Sequence, residues 1–251
     1  MGIIINDNKA KFLIRLADTS TILGQRLCEM CSKGPFLEED IAMSNLALDL
    51  IGRAELMLKE VSNIEGGTYS ADDYCYRRNE REYFSLKLSE QPNHDFAWVM
   101  GRQFMHDVYM YEIFTQLLNS DDANISAIAE KVIKEIKYSL EHSKNWVLRL
   151  GIGTEESNER MQKAINMLWK YMQEAFNFDE IDKTYLNDTD VIKNNWYAIV
   201  ESVLKEANLK VPEAVHHHYL DYRDGFHSEY LGHILSEMQF LPRAYPDAEW
   251  H

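Results

Sequence analysis

Glu135-Ile136-Lys137-Tyr138 carries the spacing with the most chemical meaning in this chain of 251 residues. In helical bundles that bind two iron or manganese ions, a Glu-x-x-His step sets two ligands on one inward helix face. Here tyrosine stands in the histidine place, and His142 follows four residues later. Asp49-Leu50-Ile51-Gly52 repeats the step with glycine in that place, and Gln25 and Asp107 sit near the middles of two further helical stretches. A carboxylate-bridged metal pair takes about four carboxylates and about two histidines from four helices. The set Gln25, Asp49, Gly52, Asp107, Glu135 and Tyr138 falls short of it. Gln25 is neutral, Gly52 offers no donor, and Tyr138 would have to ligate as a phenolate, which forms at a cost at neutral pH. The expectation is a dismantled metal site, with no catalytic residue and no metal in this chain. Asp49, Asp107 and Glu135 then need partners such as Arg53, Arg102, Lys134 or Tyr138 in order to stay buried.

The elements that must position these residues read as long helices. From Ile125 to Leu150, Ile128, Val132, Ile136, Leu140, Val147 and Leu150 recur at helical spacing. Asp121 or Asp122 is suited to cap the start, and Gly151 and Gly153 to stop the end. Residues 9–32 form a similar pattern, broken by Gly34-Pro35. A second helix runs from about 38 to 64, with Glu38, Glu39 and Asp40 at its dipole-favoured first turn. Residues 70–92 suggest a short helix and an irregular crossover, and a third long helix spans about 95–118. Four helices of roughly 36–40 Å with one long central connection describe a ferritin-like four-helix bundle. Beyond it, 154–176, 190–208 and 228–241 read as additional C-terminal helices, 177–189 as a polar loop, 213–226 as irregular and 242–251 as an extended tail. Thr154-Glu155-Glu156-Ser157 resembles a capping-box start. No strand-like alternation persists, so the class is all-α. The expected organisation is one domain over 1–251: a core bundle at about 9–150, extra helices in 154–241, and the tail.

A net charge of −15 argues against general nucleic-acid binding and against anionic membranes. It leaves room for a local basic pocket. Arg77, Arg78 and Arg81 amid aromatics could receive a phosphate, or else pair with Glu80, Glu82 and Asp72 or Asp73. Three cysteines imply no disulfide framework, and the CxxC of Cys28 and Cys31, inside a helical pattern, reads as buried or half-buried thiols. No apolar run reaches the ~18 residues of a membrane span. The apolar start Ile3–Ile5 is too short for a signal peptide, so a cytoplasmic location is expected. His94 and His106 are isolated. Asp224, His227, Glu229 and His233 read as capping and surface hydrogen bonding, and Glu213-x-x-His216, in the run His216-His217-His218, has ligand spacing but no partner helix. There is no Gly-rich phosphate loop, no G-x-S-x-G and no paired CxxC.

Several runs taken together resemble a known family. They are Leu23-Gly24-Gln25-Arg26-Leu27, Leu37-Glu38-Glu39-Asp40, Asn45 to Gly52, Asn79-Glu80-Arg81, Glu90-Gln91-Pro92-Asn93 and Lys134 to Tyr138. The stretch from Gly225 to Trp250, with His227-Ser228-Glu229, Glu237-Met238-Gln239 and Pro246, completes the set. The chain is similar over nearly its whole length to the C-subunit family of phenylacetyl-CoA epoxidase complexes. That resemblance implies a ferritin-like, non-catalytic structural subunit paired with a homologous A subunit that carries the di-iron site. With a small B subunit and a reductase, such a complex uses O2 and NADPH electrons to epoxidise the ring of phenylacetyl-CoA in aerobic phenylacetate catabolism. The resemblance also implies contact with the CoA part of the substrate through Glu82, Tyr83, Phe84 and Ser85, and through Lys183, Thr184 and Tyr185. Two other readings compete. One is an independent di-metal oxidase or iron-binding protein using Asp49, Asp107, Glu135 and His142. The other is a CoA-binding module resting on the arginine cluster.

Overall fold

The computed structural model describes residues 2–213, 221–246 and 248, which fall into two compact units, Met1–Pro92 with Leu220–His251, and Asn93–Tyr219. Among the described residues every regular element is helical, and no strand occurs.

The first unit is built on a hairpin of two long helices, α1 (Asn8–Cys28) and α2 (Leu37–Ile64). Asp7 caps α1 by accepting the N–H groups of Lys9 and Ala10. No side chain caps α2, whose first turn has the acidic Glu38, Glu39 and Asp40 against the helix dipole instead. A short α3 (Ala71–Tyr76) packs on α2, closed by a reciprocal Ser70–Asp73 capping box. A 3-10 turn (Glu80–Glu82) and α4 (Lys87–Glu90) complete the crossover, with α4 resting on α1. The chain returns to this unit late, with a 3-10 turn (Tyr222–Asp224), α10 (Tyr230–Met238) and α11 (Phe240–Ala244). Leu231, Ile234, Leu235 and Met238 of α10 pack on Ile22 of α1 and on Tyr83.

The second unit holds the other long hairpin, α5 (Phe96–Leu117) and α6 (Ala123–Gly151). Against it pack α7 (Glu155–Met172) and α9 (Thr189–Glu206), and α8 (Glu180–Tyr185) lies in the connection between those two. Asp95 caps α5 and Asp122 caps α6. Thr154 and Ser157 form the reciprocal cap of α7. Trp169 and Trp196 meet at 5.3 Å, with Phe176 and Tyr197 alongside, and the Trp196 indole N–H donates to the Met105 carbonyl oxygen at 2.9 Å.

The helices differ from the sequence expectation in four places. The first ends at Cys28 rather than 32, and Ser32 takes a left-handed turn (φ 68°). The stretch 177–189 is not all loop, because the Asp179–Asp182 reciprocal cap starts α8 within it. The tail is not extended from 242, because α11 includes Pro242 in its first turn, where the missing proline N–H has no intrahelical partner to lose. Gly151 does not stop α6; it is the last helical residue. Its lack of a side chain serves packing instead, since a Cβ there would lie 2.3 Å from the Ala207 carbonyl oxygen behind α9.

That contact separates propensity from packing. Glycine-to-alanine exchange inside a helix ordinarily stabilises by about 1 kcal/mol. Gly151→Ala is expected to do the opposite and lower the urea midpoint of unfolding, by tryptophan fluorescence, because alanine must push Ala207 away.

Candidate functional site

The candidate metal positions fall on the two hairpins, with Gln25, Asp49 and Gly52 on α1 and α2, and Asp107, Glu135 and Tyr138 on α5 and α6. Asp107 is fully buried. Its Oδ2 accepts the hydroxyls of Ser139 at 2.6 Å and Ser143 at 2.9 Å. Its Oδ1 accepts the Gln103 amide at 2.8 Å, with the His106 ring nitrogen at 3.3 Å. The donors are therefore small polar groups of its own hairpin, where the sequence suggested Arg102, Lys134 or Tyr138. Arg102 bonds instead to the Asn93 side-chain oxygen at 2.6 Å. Ser139 and Ser143 stand i+4 and i+8 from Glu135 on α6, so the inward stripe passes through the serines and misses Tyr138, which is 59% exposed. Glu135 is half-buried.

On the other hairpin Gln25 and Asp49 are half-buried, and a side chain at Gly52 would meet nothing within 4 Å. Burial lifts the Asp49 carboxyl above its usual range, and the charge of the buried Arg53 one turn on opposes the rise. Asp49 thus has the expected Arg53 beside it. Among the described residues no group of three or more His, Cys, Asp or Glu side chains is placed to hold a metal ion.

The densest buried chemistry lies elsewhere, in the crossover of the first unit. Asp18 of α1 takes both arms of the Arg78 guanidinium, one at 3.0 Å, and the Phe84 N–H at 2.8 Å. Both side chains of the pair are sealed from solvent. Arg78 also donates to the carbonyls of Tyr74 and Glu82, each at 2.6 Å, and lies 4.1 Å over the Tyr83 ring. Burial alone would lower the Arg78 pKa, but the Asp18 carboxylate outweighs it and holds the guanidinium above its ordinary value. Gln239, next to α11, donates to the Tyr83 hydroxyl at 2.8 Å and to the Arg78 carbonyl at 2.9 Å.

A second acid closes the network. Glu90 is fully buried and accepts the Ser85 hydroxyl at 3.0 Å and the Ser228 N–H at 2.7 Å. His227 Nδ1 lies 2.6 Å from Glu90 Oε1, and His227 Nε2 lies 2.8 Å from the Tyr83 carbonyl oxygen. A carbonyl oxygen only accepts, so Nε2 carries a proton, and a proton is also needed between Nδ1 and Glu90. His227 is therefore an internal clamp and not the surface group its sequence neighbourhood suggested, because its partners lie far off in the chain. Neither Asp18 nor Glu90 stands out as a site residue in the sequence. For Asp18 a signal exists: Ile14 and Ile22 flank it one turn away on either side, so the acid interrupts an apolar face.

The remaining expectations divide. Tyr83 and Ser85, offered as CoA contacts, are enclosed in this network, while Glu82 and Phe84 keep partial exposure. Lys183, Thr184 and Tyr185 sit on α8, with exposed Lys183 paired to Glu180 at 2.9 Å and the Thr184 hydroxyl bonded to the Glu180 carbonyl at 2.8 Å. The arginine group disperses: Arg77 pairs with Asp73 at 3.1 Å, Arg78 is buried on Asp18, and Arg81 lies 5.4 Å from the Phe226 ring. Cys28 and Cys31 are exposed rather than buried, because α1 ends between them. The histidine run at 216–218 lies outside the described residues.

A sequence model of the phenylacetic acid catabolic protein family matches residues 4–250. The chain is also 38% identical over 244 residues to the C subunit of the 1,2-phenylacetyl-CoA epoxidase of Escherichia coli K12, across 95% of this chain and 98% of that one.

Two measurements test the buried network. Arg78→Met strands the Asp18 carboxylate and is expected to destabilise by about 3–5 kcal/mol in urea unfolding, and adding Asp18→Leu recovers at least half of that loss. Burial pushes the Cys75 thiol up to about 12, so at pH 8 it holds almost no thiolate. Timed alkylation read by mass spectrometry should modify Cys31 and Cys28 first and Cys75 far more slowly, with Cys75 catching up on unfolding.

Proposed function

Because the chain belongs to the phenylacetic acid catabolic protein family, we propose that it is the non-catalytic structural subunit of a phenylacetyl-CoA epoxidising monooxygenase complex. The observation that carries this reading is Asp107. In a working di-metal bundle an inward carboxylate faces a cation. Here it is satisfied by two serine hydroxyls, an amide and a histidine ring of its own hairpin. The exposed Tyr138 and the bare Gly52 support the same conclusion. The di-iron site then resides in the homologous A subunit, and a small B subunit and a reductase complete the assembly.

A permanent partner needs an apolar face to cover. Leu37, Ile41 and Leu48 are each more than half exposed along one side of α2, which supports that helix as part of the surface offered to the A subunit. The candidate contacts with the CoA portion of the substrate are Glu82 and Phe84 in the first unit and, taken separately, the α8 residues Lys183, Thr184 and Tyr185 in the second.

Co-expression with the A subunit, followed by sizing and iron analysis, tests the proposal. The expected result is a mixed complex with about two irons per pair, as for one di-iron site. Its iron content and epoxidation rate should stay within about twofold of the parent when this chain carries Asp49→Asn and Glu135→Gln, since losing even an outer-shell partner of a metal ligand commonly costs 10–100-fold. Iron that falls with those substitutions, or about two irons on the lone chain, would instead make this chain an independent metal oxidase. Ile41→Glu with Leu48→Glu should reduce the amount of A subunit recovered with the chain.

A further inference from the structure

A cavity of about 260 Å³ opens inside the first unit among α1, α2 and α3. Ile51, Ala54 and Leu58 of α2 and Ala71 of α3 supply apolar walls. Thr21 of α1 lines it as well, and its hydroxyl is buried with no hydrogen-bond partner. The neighbours on α1 behave differently: Thr19 and Ser20 each bond back to a helix carbonyl one turn earlier at 2.9 Å. A buried hydroxyl left unmet destabilises the fold around it. One that lines an open cavity is met when a ligand brings a polar atom to it. Gln25, one turn beyond Thr21 on α1, adds a neutral amide to the same wall.

The lining also defines the charge of the ligand. It contains no lysine, arginine or histidine, and its ionisable members at the exposed edge are the acids Glu55 and Asp72. Glu55 is salt-bridged to Lys59 on its own helix, and Asp72 is exposed. Carboxylates and phosphates are repelled there and find no counter-charge within. The volume exceeds the ~150 Å³ of an apolar cavity that admits benzene, so one ring with a short substituent fits.

We propose that this cavity binds a compact, uncharged, single-ring molecule whose one polar end hydrogen-bonds to the Thr21 hydroxyl. The lining includes Gln25, one of the candidate metal positions, and Cys75, whose carbonyl oxygen accepts the Tyr83 hydroxyl, so the cavity borders the crossover network.

Saturation-transfer NMR on the full-length chain, or on its co-purified complex where the lone chain aggregates, tests this with benzyl alcohol as the probe and benzoate as the charge control. Benzyl alcohol should bind saturably, and benzoate at least tenfold more weakly. Thr21→Val keeps the shape and removes the hydroxyl, and should weaken benzyl alcohol about fivefold, as for one lost hydrogen bond. Ala54→Phe should fill the cavity and abolish binding; if that variant fails to fold, Thr21→Val decides. No saturable binding, equal affinity for benzoate, or unchanged affinity in Thr21→Val would each overturn the proposal.

Discussion

A carboxylate taken out of water inside a helical core must be answered by donors, and this chain answers three of them in three ways. Asp107 is met by hydroxyls and an amide, Asp18 by a guanidinium in fork geometry, and Glu90 by a histidine, a serine and a backbone N–H. The choice of donor decides what each acid can do. Neutral donors on one hairpin need no further chain to arrive, so Asp107 is a local matter of α5 and α6. The donors of Asp18 and Glu90 come from the crossover and from the late-returning segment, so these two acids knit distant stretches together.

The Asp18–Arg78 pair ties the crossover to α1, and the Glu90–His227 clamp ties the late-returning segment to the crossover. A buried ion pair is a weak source of net stability, but removing one partner leaves the other charge buried and unmatched.

The long helices are legible in the sequence because their signals are local: apolar spacing, an aspartate before the first turn, few prolines. The inward acid Asp107 and the bare Gly52 are legible for the same reason. The donors of Asp107 are not, since Ser139 and Ser143 carry no periodic signature and a long basic side chain is the more obvious partner. His227 looks like a surface group because the charged Asp224 and Glu229 stand close to it in the sequence, while the groups that enclose it are Tyr83 and Glu90. α8 and α11 are hidden by polar composition and by Pro242, although the reciprocal Asp179–Asp182 cap is present in the residues.

The order of the chain gives the α10 packing a temporal meaning. Ile22 and Tyr83 are made early during synthesis, yet the residues that cover them, Leu231 to Met238, emerge only after the whole of 93–219 has been translated. Until then the nascent first unit presents an unfinished apolar wall and an unclosed acid at Glu90. The pace of translation through the second unit therefore sets how long that wall stays open.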